Sequence, residues 1–135
     1  MSNIHKHYLS PGLVSVLVEA ITYVHEHGKN EFHLQEHLSL SHNAYCNAQK
    51  LRYWGLIAHL KGRRGYWVIT KFGGMFLRGE IDMPEWVETQ DNHRVAKSMQ
   101  RIHIRELRNK IPFVQQEFAY EVRDIIESRQ QLLIP

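Results

Sequence analysis

Two histidines four residues apart, with a glutamate before the second, give His33-Leu34-Gln35-Glu36-His37 the pattern H-x-x-E-H. On a helix this spacing stacks two imidazoles on one face, the arrangement that holds zinc in some peptidases. The neighbours favour a different use. Leu34 and Leu38 serve better as core contacts of a short helical turn, and zinc chemistry needs a stable helix and a third ligand. His5-Lys6-His7 and His25-Glu26-His27 have i,i+2 spacing, which points opposite ways on a helix and supports weak surface metal affinity at most. Ser10, Ser15 and Ser41 lack a nucleophile-elbow context. Cys46 is the single cysteine, so it cannot close an intrachain disulfide, and no sequence partner marks it as a catalytic thiolate. No Walker or dinucleotide-binding pattern occurs. The reading is a non-enzyme, with no catalytic residue, metal or cofactor expected.

The cationic and amide side chains form a stronger signal. From His37 to Gly79 there is no Asp or Glu, while Lys50, Arg52, Lys61, Arg63, Arg64, Lys71 and Arg78 give seven positive charges in 43 residues. The first 36 residues carry 2 basic and 4 acidic side chains, and the stretch from Glu80 onward carries 8 basic and 10 acidic, so both flanks are net negative. Phosphate neutralisation needs clustered cations without nearby carboxylates, which makes the middle segment a candidate face for a polyanion. Gly62-Arg63-Arg64-Gly65 also matches the G-x-x-G loop of one RNA-binding fold. That loop joins helices, whereas apolar strand-like runs flank it here.

Local signals define the elements that must hold these residues. Ser10-Pro11-Gly12 opens a helix in which Leu13, Leu17, Ala20, Ile21 and Val24 recur at helical spacing, and Gly28 stops it. Phe32-His33-Leu34 suits a short extended segment, followed by one helical turn from Glu36 to Leu38. Ser41 is placed to cap a helix from His42 to Trp54 that turns Ala44, Ala48 and Leu51 to one face and ends at Gly55. The outward positions of that helix are His42, Asn43, Tyr45, Cys46, Gln49, Lys50 and Tyr53. LIAHL and YWVI, flanking KGRRG, predict a β-hairpin with a cationic tip. Thr70 caps a helix from Lys71 to Leu77 with Phe72 and Phe76 one turn apart, and Gly79 ends it. Pro84 imposes extended geometry on Met83. Trp86–Thr89 and Arg101–Ile104 read as strands, with Asp91-Asn92 a turn between them. A last helix from Phe113 to about Arg129 carries Val114, Phe118, Val122, Ile125 and Ile126 on one stripe.

With 135 residues, the chain has room for one compact domain with a packed extension. No apolar run reaches the roughly 18 to 20 residues that cross a bilayer, and the start lacks the form of a secretion signal, so no membrane association and a cytoplasmic location are expected.

Helix, short strand, short helix, tight turn, helix ending in Gly-Leu-Ile, then a basic-tipped hairpin, is the order of a winged helix-turn-helix. Leu51, Gly55, Leu56 and Ile57 sit at that family's junction between recognition helix and wing. Trp54-Gly55-Leu56, Gly65-Tyr66-Trp67, Ile69-Thr70, Gly73, Phe76-Leu77 and Met83-Pro84 further resemble a group of small phage and prophage winged-helix proteins. The resemblance covers about two thirds of the chain. It implies an α+β fold, with a winged helix-turn-helix over 8–80 and a C-terminal extension of short strands and a terminal helix over 81–135.

The resemblance also implies a double-stranded DNA partner and a role as a small transcriptional regulator. Asn43 and Gln49 would read adenine edges, and Lys50 would reach guanine or phosphate. His42 and Tyr45 would bond phosphate, with Tyr53 on the same face, and Arg63 and Arg64 would touch a groove or the backbone. Val114, Phe118, Val122 and Ile125 of the C-terminal helix would either pair two copies as a homodimer or pack on their own domain. The competing expectation is a protein-binding module that inhibits a host nucleic-acid-handling or defence complex, as an anti-CRISPR does. Tyr45, Tyr53, Tyr66, Trp67 and Trp86 would then be its contact anchors.

Overall fold

The computed structural model describes residues 3–107, 109–111 and 116–130, with backbone alone for 116–118 and 128–130. Helix α1, Pro11–His27, is the central rod. The Ser10 side chain accepts from the Leu13 N–H at 3.2 Å, Pro11 takes the first position, and Gly28 closes the helix in the left-handed region at φ 69°. Its apolar residues cover more than one stripe: Val14, Val16 and Val18 are buried along with Leu13, Leu17, Ala20, Ile21 and Val24. A helix buried over so wide an arc must be covered on several sides, and the helices His42–Ala48, Lys71–Leu77 and Gln116–Glu121 pack against it with the strands Phe32–His33 and Tyr66–Ile69. The described residues form three small antiparallel sheets and four further α-helices.

The first sheet joins β2, Phe32–His33, β3, Ile57–His59, and β4, Tyr66–Ile69, in the order β2-β4-β3. Asn30, buried just before β2, fastens it: its Nδ2 donates to the Ile69 carbonyl at 2.7 Å and its Oδ1 accepts from the Ile69 N–H at 2.9 Å. The predicted helical turn at Glu36–Leu38 is an isolated turn over residues 34–37, closed by the His37 N–H on the His33 carbonyl at 2.9 Å. Leu34 and Leu38 are buried as expected.

The helix predicted over His42–Trp54 divides into α2, His42–Ala48, and a 3-10 helix, Gln49–Trp54, which Gly55 ends at φ 73°. The Thr70 hydroxyl caps α3, Lys71–Leu77, by accepting from the Gly73 N–H at 3.0 Å. On α3 Phe76 is buried, but Phe72 points outward and is 55% exposed.

The extension corrects one predicted pairing. Across the Asp91-Asn92 turn, where both residues adopt positive φ, β6, Trp86–Gln90, pairs with β7, His93–Lys97. Arg101 and Ile102 form β8, which pairs instead with β5, Met83–Pro84, and Ile104 already begins a 3-10 helix. On the other edge of β6 lies β1, His5–Tyr8, a strand the sequence did not announce.

Helices α4, Gln116–Glu121, and α5, Arg123–Gln130, replace the single terminal helix. Val122 and Ile126 are buried in the chain's own core, which runs as one cluster from Leu9 to Ile126. Val114 and the Phe118 side chain of the proposed dimer stripe lie outside the described residues.

Candidate nucleic-acid interface

The interface begins at Ser41, whose Oγ accepts from the Ala44 N–H at 3.2 Å and fixes the start of α2. Ala48 and Leu51 face the core, with Ala44 half-buried beside them. His42, Asn43, Cys46 and Gln49 are left exposed. The His42 Nε2 lies 3.6 Å from the Cys46 Sγ, and Asn47 Nδ2 donates to the Asn43 carbonyl at 2.9 Å. Asn43 and Gln49 thus present amides to solvent, the chemistry that an adenine edge requires.

The other predicted helix positions are less open to solvent. Tyr45 is half-buried and borders a cavity of about 130 Å³ with Leu34, Leu40 and His42. Tyr53 stacks on His7 of β1 with ring centroids 5.3 Å apart, and its hydroxyl is 3.4 Å from the Asn92 Oδ1. Lys50 is half-buried and borders two cavities. One, of about 480 Å³, lies between β1, the start of α1 and α2, and has Asn43 and Asn47 on its wall; the other, of about 450 Å³, reaches the Asp91-Asn92 turn. The outer surface of the 3-10 helix therefore abuts the β1-β6-β7 sheet.

In the hairpin tip, Gly62 and Gly65 both sit at φ 81°, so the loop depends on glycine. A Cβ on Gly65 would also lie 2.4 Å from the His33 Nε2. Arg63 and Arg64 are both exposed, but Arg63 is bonded to Glu31 and its guanidinium lies 4.0 Å from the Tyr66 ring centroid. Arg78 leaves the polyanion set altogether. It is buried, and bonds Glu80 at 2.5 Å and the Ala119 carbonyl at 3.3 Å, tying α3 to α4. Lys61, Arg64 and Lys71 remain as exposed cations of the acid-free segment.

Sequence reasoning missed the basic side chains that the folded chain adds. His5 and His7 on β1 lie beside Lys50, and the Arg94 Nη1 reaches the Tyr53 carbonyl at 3.4 Å. His7 is held below its ordinary 6.5 by burial, then by the charges of Lys50 and His5. The i,i+2 repeat of His5 and His7 was the available signal, since alternate residues of a strand share a face.

His33 and His37 are engaged in the turn. The His33 Nδ1 accepts from the Glu36 N–H at 3.1 Å, and the His37 Nδ1 from the His33 N–H at 3.0 Å. Both rings pack edge-on against Tyr66. Among the described residues no group of three or more His, Cys, Asp or Glu is placed to hold a metal ion. Trp67 is 2% exposed and so cannot anchor a partner, contrary to the expectation for that residue. No helix among the described residues is long and apolar enough to cross a membrane.

Searches against known protein families, curated proteins and solved structures find no match to this chain.

Proposed function

We propose that the chain is a non-enzymatic double-stranded DNA-binding protein of winged helix-turn-helix type that acts as a small transcriptional regulator. The observation that carries this reading is the run α1, β2, turn, α2, β3, β4 with sheet order β2-β4-β3, in which a capped helix start displays exposed amides and the hairpin tip displays exposed cations. In this architecture the start of α2 enters the major groove, with Asn43 and Gln49 at base edges, while Arg64 at the wing neutralises phosphate. Arg63, already bonded to Glu31, contributes less than the sequence suggests.

Selection from random duplex DNA at physiological salt tests the reading. A regulator enriches a defined motif and prefers it to random duplex by roughly 10³-fold or more. Replacing Asn43 or Gln49 shifts the preferred sequence by about 1 to 3 kcal/mol, whereas Arg64→Ala weakens all duplexes alike. A palindromic motif indicates pairing of two copies. No enriched motif, together with an affinity that does not change with salt, refutes DNA binding.

One observation favours the second reading, a protein-binding module that inhibits a host nucleic-acid-handling or defence complex. The element preceding α2 is a lone turn, and α2 itself spans 7 residues before it tightens beside the β1-β6-β7 sheet, which leaves little helix to enter a groove. Recovery of a nuclease-resistant protein partner in a pull-down, with no enriched DNA motif, identifies that case.

A further inference from the structure

The two larger cavities meet at His7 and Lys50, which border both. The one toward the Asp91-Asn92 turn, about 450 Å³, gathers basic side chains: Lys50 comes from the 3-10 helix, and His5 and His7 from β1. Residues far apart in sequence build it, because β1 reaches this place only through its pairing with β6, where His5 stands opposite Thr89. Its geometry is that of a held imidazole. The His7 Nε2 lies 2.9 Å from the Thr89 Oγ1, and one face of the ring is covered by Tyr53. With Nε2 engaged, Nδ1 is the nitrogen left to a ligand, and it donates when the ring is protonated.

We propose that this cavity binds a phosphate group, with Lys50 and the imidazolium form of His7 as its cations and His5 on the same wall. The inference rests on the DNA-binding reading for its most direct ligand, a backbone phosphate, and a free phosphate monoester presents the same chemistry. Protonated His7 gains from three sides at once. The anion neutralises the cluster, the Tyr53 ring offers its face to a cation, and Asp91 of the turn adds a negative charge at the rim. Asp91 also opposes an incoming anion, so Lys50 and protonated His7 must act together to hold it. Lys6 takes no part, since its Nζ lies 4.1 Å from the Trp86 ring centroid on the opposite face of the strand.

Occupation is coupled to a proton. In the empty cavity burial, then the charges of Lys50 and His5, lower the pKa of His7 and favour its neutral form. A bound phosphate reverses the sign of the local field and raises the pKa of His7. Binding then takes up a proton, and affinity for a ligand of fixed charge rises as pH falls, by at most about tenfold per pH unit for one histidine. It levels off once His7 is already charged in the empty protein.

The test is an NMR pH titration of the histidine ring protons of the full chain under three conditions at matched ionic strength: sodium chloride, inorganic phosphate, and a short DNA duplex. The expected result is a His7 pKa raised by roughly one unit by phosphate or duplex. His103, bonded through Nε2 to the Gly79 carbonyl away from the cavity, stays unchanged. In Lys50→Met the rise is lost while the thermal midpoint is kept, and in His7→Gln the pH dependence of binding disappears. A rise with duplex assigns the site to the DNA backbone, and a rise with inorganic phosphate alone assigns it to a free phosphate. Duplex binding that leaves His7 unmoved in both arms overturns the cavity proposal but not the DNA reading. A phosphate response in a protein that binds no duplex does the reverse.

Discussion

At the scale of single residues, Asn30 is the polar group on which the first sheet depends most. A carboxamide has one donor and one acceptor side, which is what the two backbone groups of Ile69 need, so Asn30 continues the ladder where β2 has not yet begun. Asn30→Ala removes two buried hydrogen bonds and is expected to cost about 2 kcal/mol or more, measured by urea unfolding. Asn30→Asp keeps the acceptor but turns a carboxylate oxygen toward the Ile69 carbonyl, so its deficit should shrink as pH falls and the carboxyl protonates. An Asn30→Ala protein as stable as the parent would show that the sheet does not need this clasp.

Among the elements, close packing of α3 on the base of the hairpin, where Leu56 leads into β3 and Ile69 ends β4, is fixed by a missing side chain. A Cβ on Gly73 would lie 2.3 Å from the Leu56 carbonyl oxygen and 2.9 Å from the Ile69 Cγ2. Backbone does not yield as a flexible side chain does, so Gly73→Ala should destabilise by about 3 kcal/mol, at the upper end of overpacking costs. Gly12→Ala, whose nearest contact is the Ser10 Oγ at an ordinary 3.8 Å, is the control and should be nearly neutral.

The same scale decides what could be read from sequence. Ser10, Gly28, Ser41, Gly55 and Thr70 announce helix ends because caps are satisfied within a few residues. The hairpin was legible from its glycines for the same reason. Strands β1 and β7 were not: HKHY and HRVAK are largely polar and become strands because β6 lies between them. The helix face was legible as far as Ala48. Beyond it each residue turns through about 120° rather than 100°, so Tyr53 leaves the direction that a continuous α-helix gives it, whereas Lys50 still borders the cavity that Asn43 and Asn47 line.

For the whole molecule, the histidines make stability a function of pH. His7 is pushed below its ordinary 6.5 by burial, Lys50 and His5. His59, whose ring lies 3.7 Å from that of Trp67, is pushed below 6.5 by loss of water around the ring and then by the charge of Arg52. A lowered folded-state pKa means that below about pH 6.5 the unfolded chain binds more protons than the folded one. Stability is therefore full above that pH and is lost as pH falls through the folded values. The thermal midpoint in phosphate-free buffer should fall between pH 6.5 and 5, and His59→Gln should flatten that fall. A midpoint that rises on acidification over this range would contradict the sign.

The pairing of His5 with Thr89 also has a consequence for synthesis. Strand β1 leaves the ribosome well ahead of its partner, which emerges more than 80 residues later, a wait of roughly 4 to 16 s at ordinary translation rates. Through that interval α1, α2 and the hairpin can assemble from local contacts, whereas the sheet beside Lys50 cannot. A nascent chain halted before Thr89 would display α2 with its flank uncovered, and would acquire the cavity at His7 only once β6 and the turn after it have emerged. The two sides of the candidate interface thus mature in sequence, the helix first and the strand that borders it last.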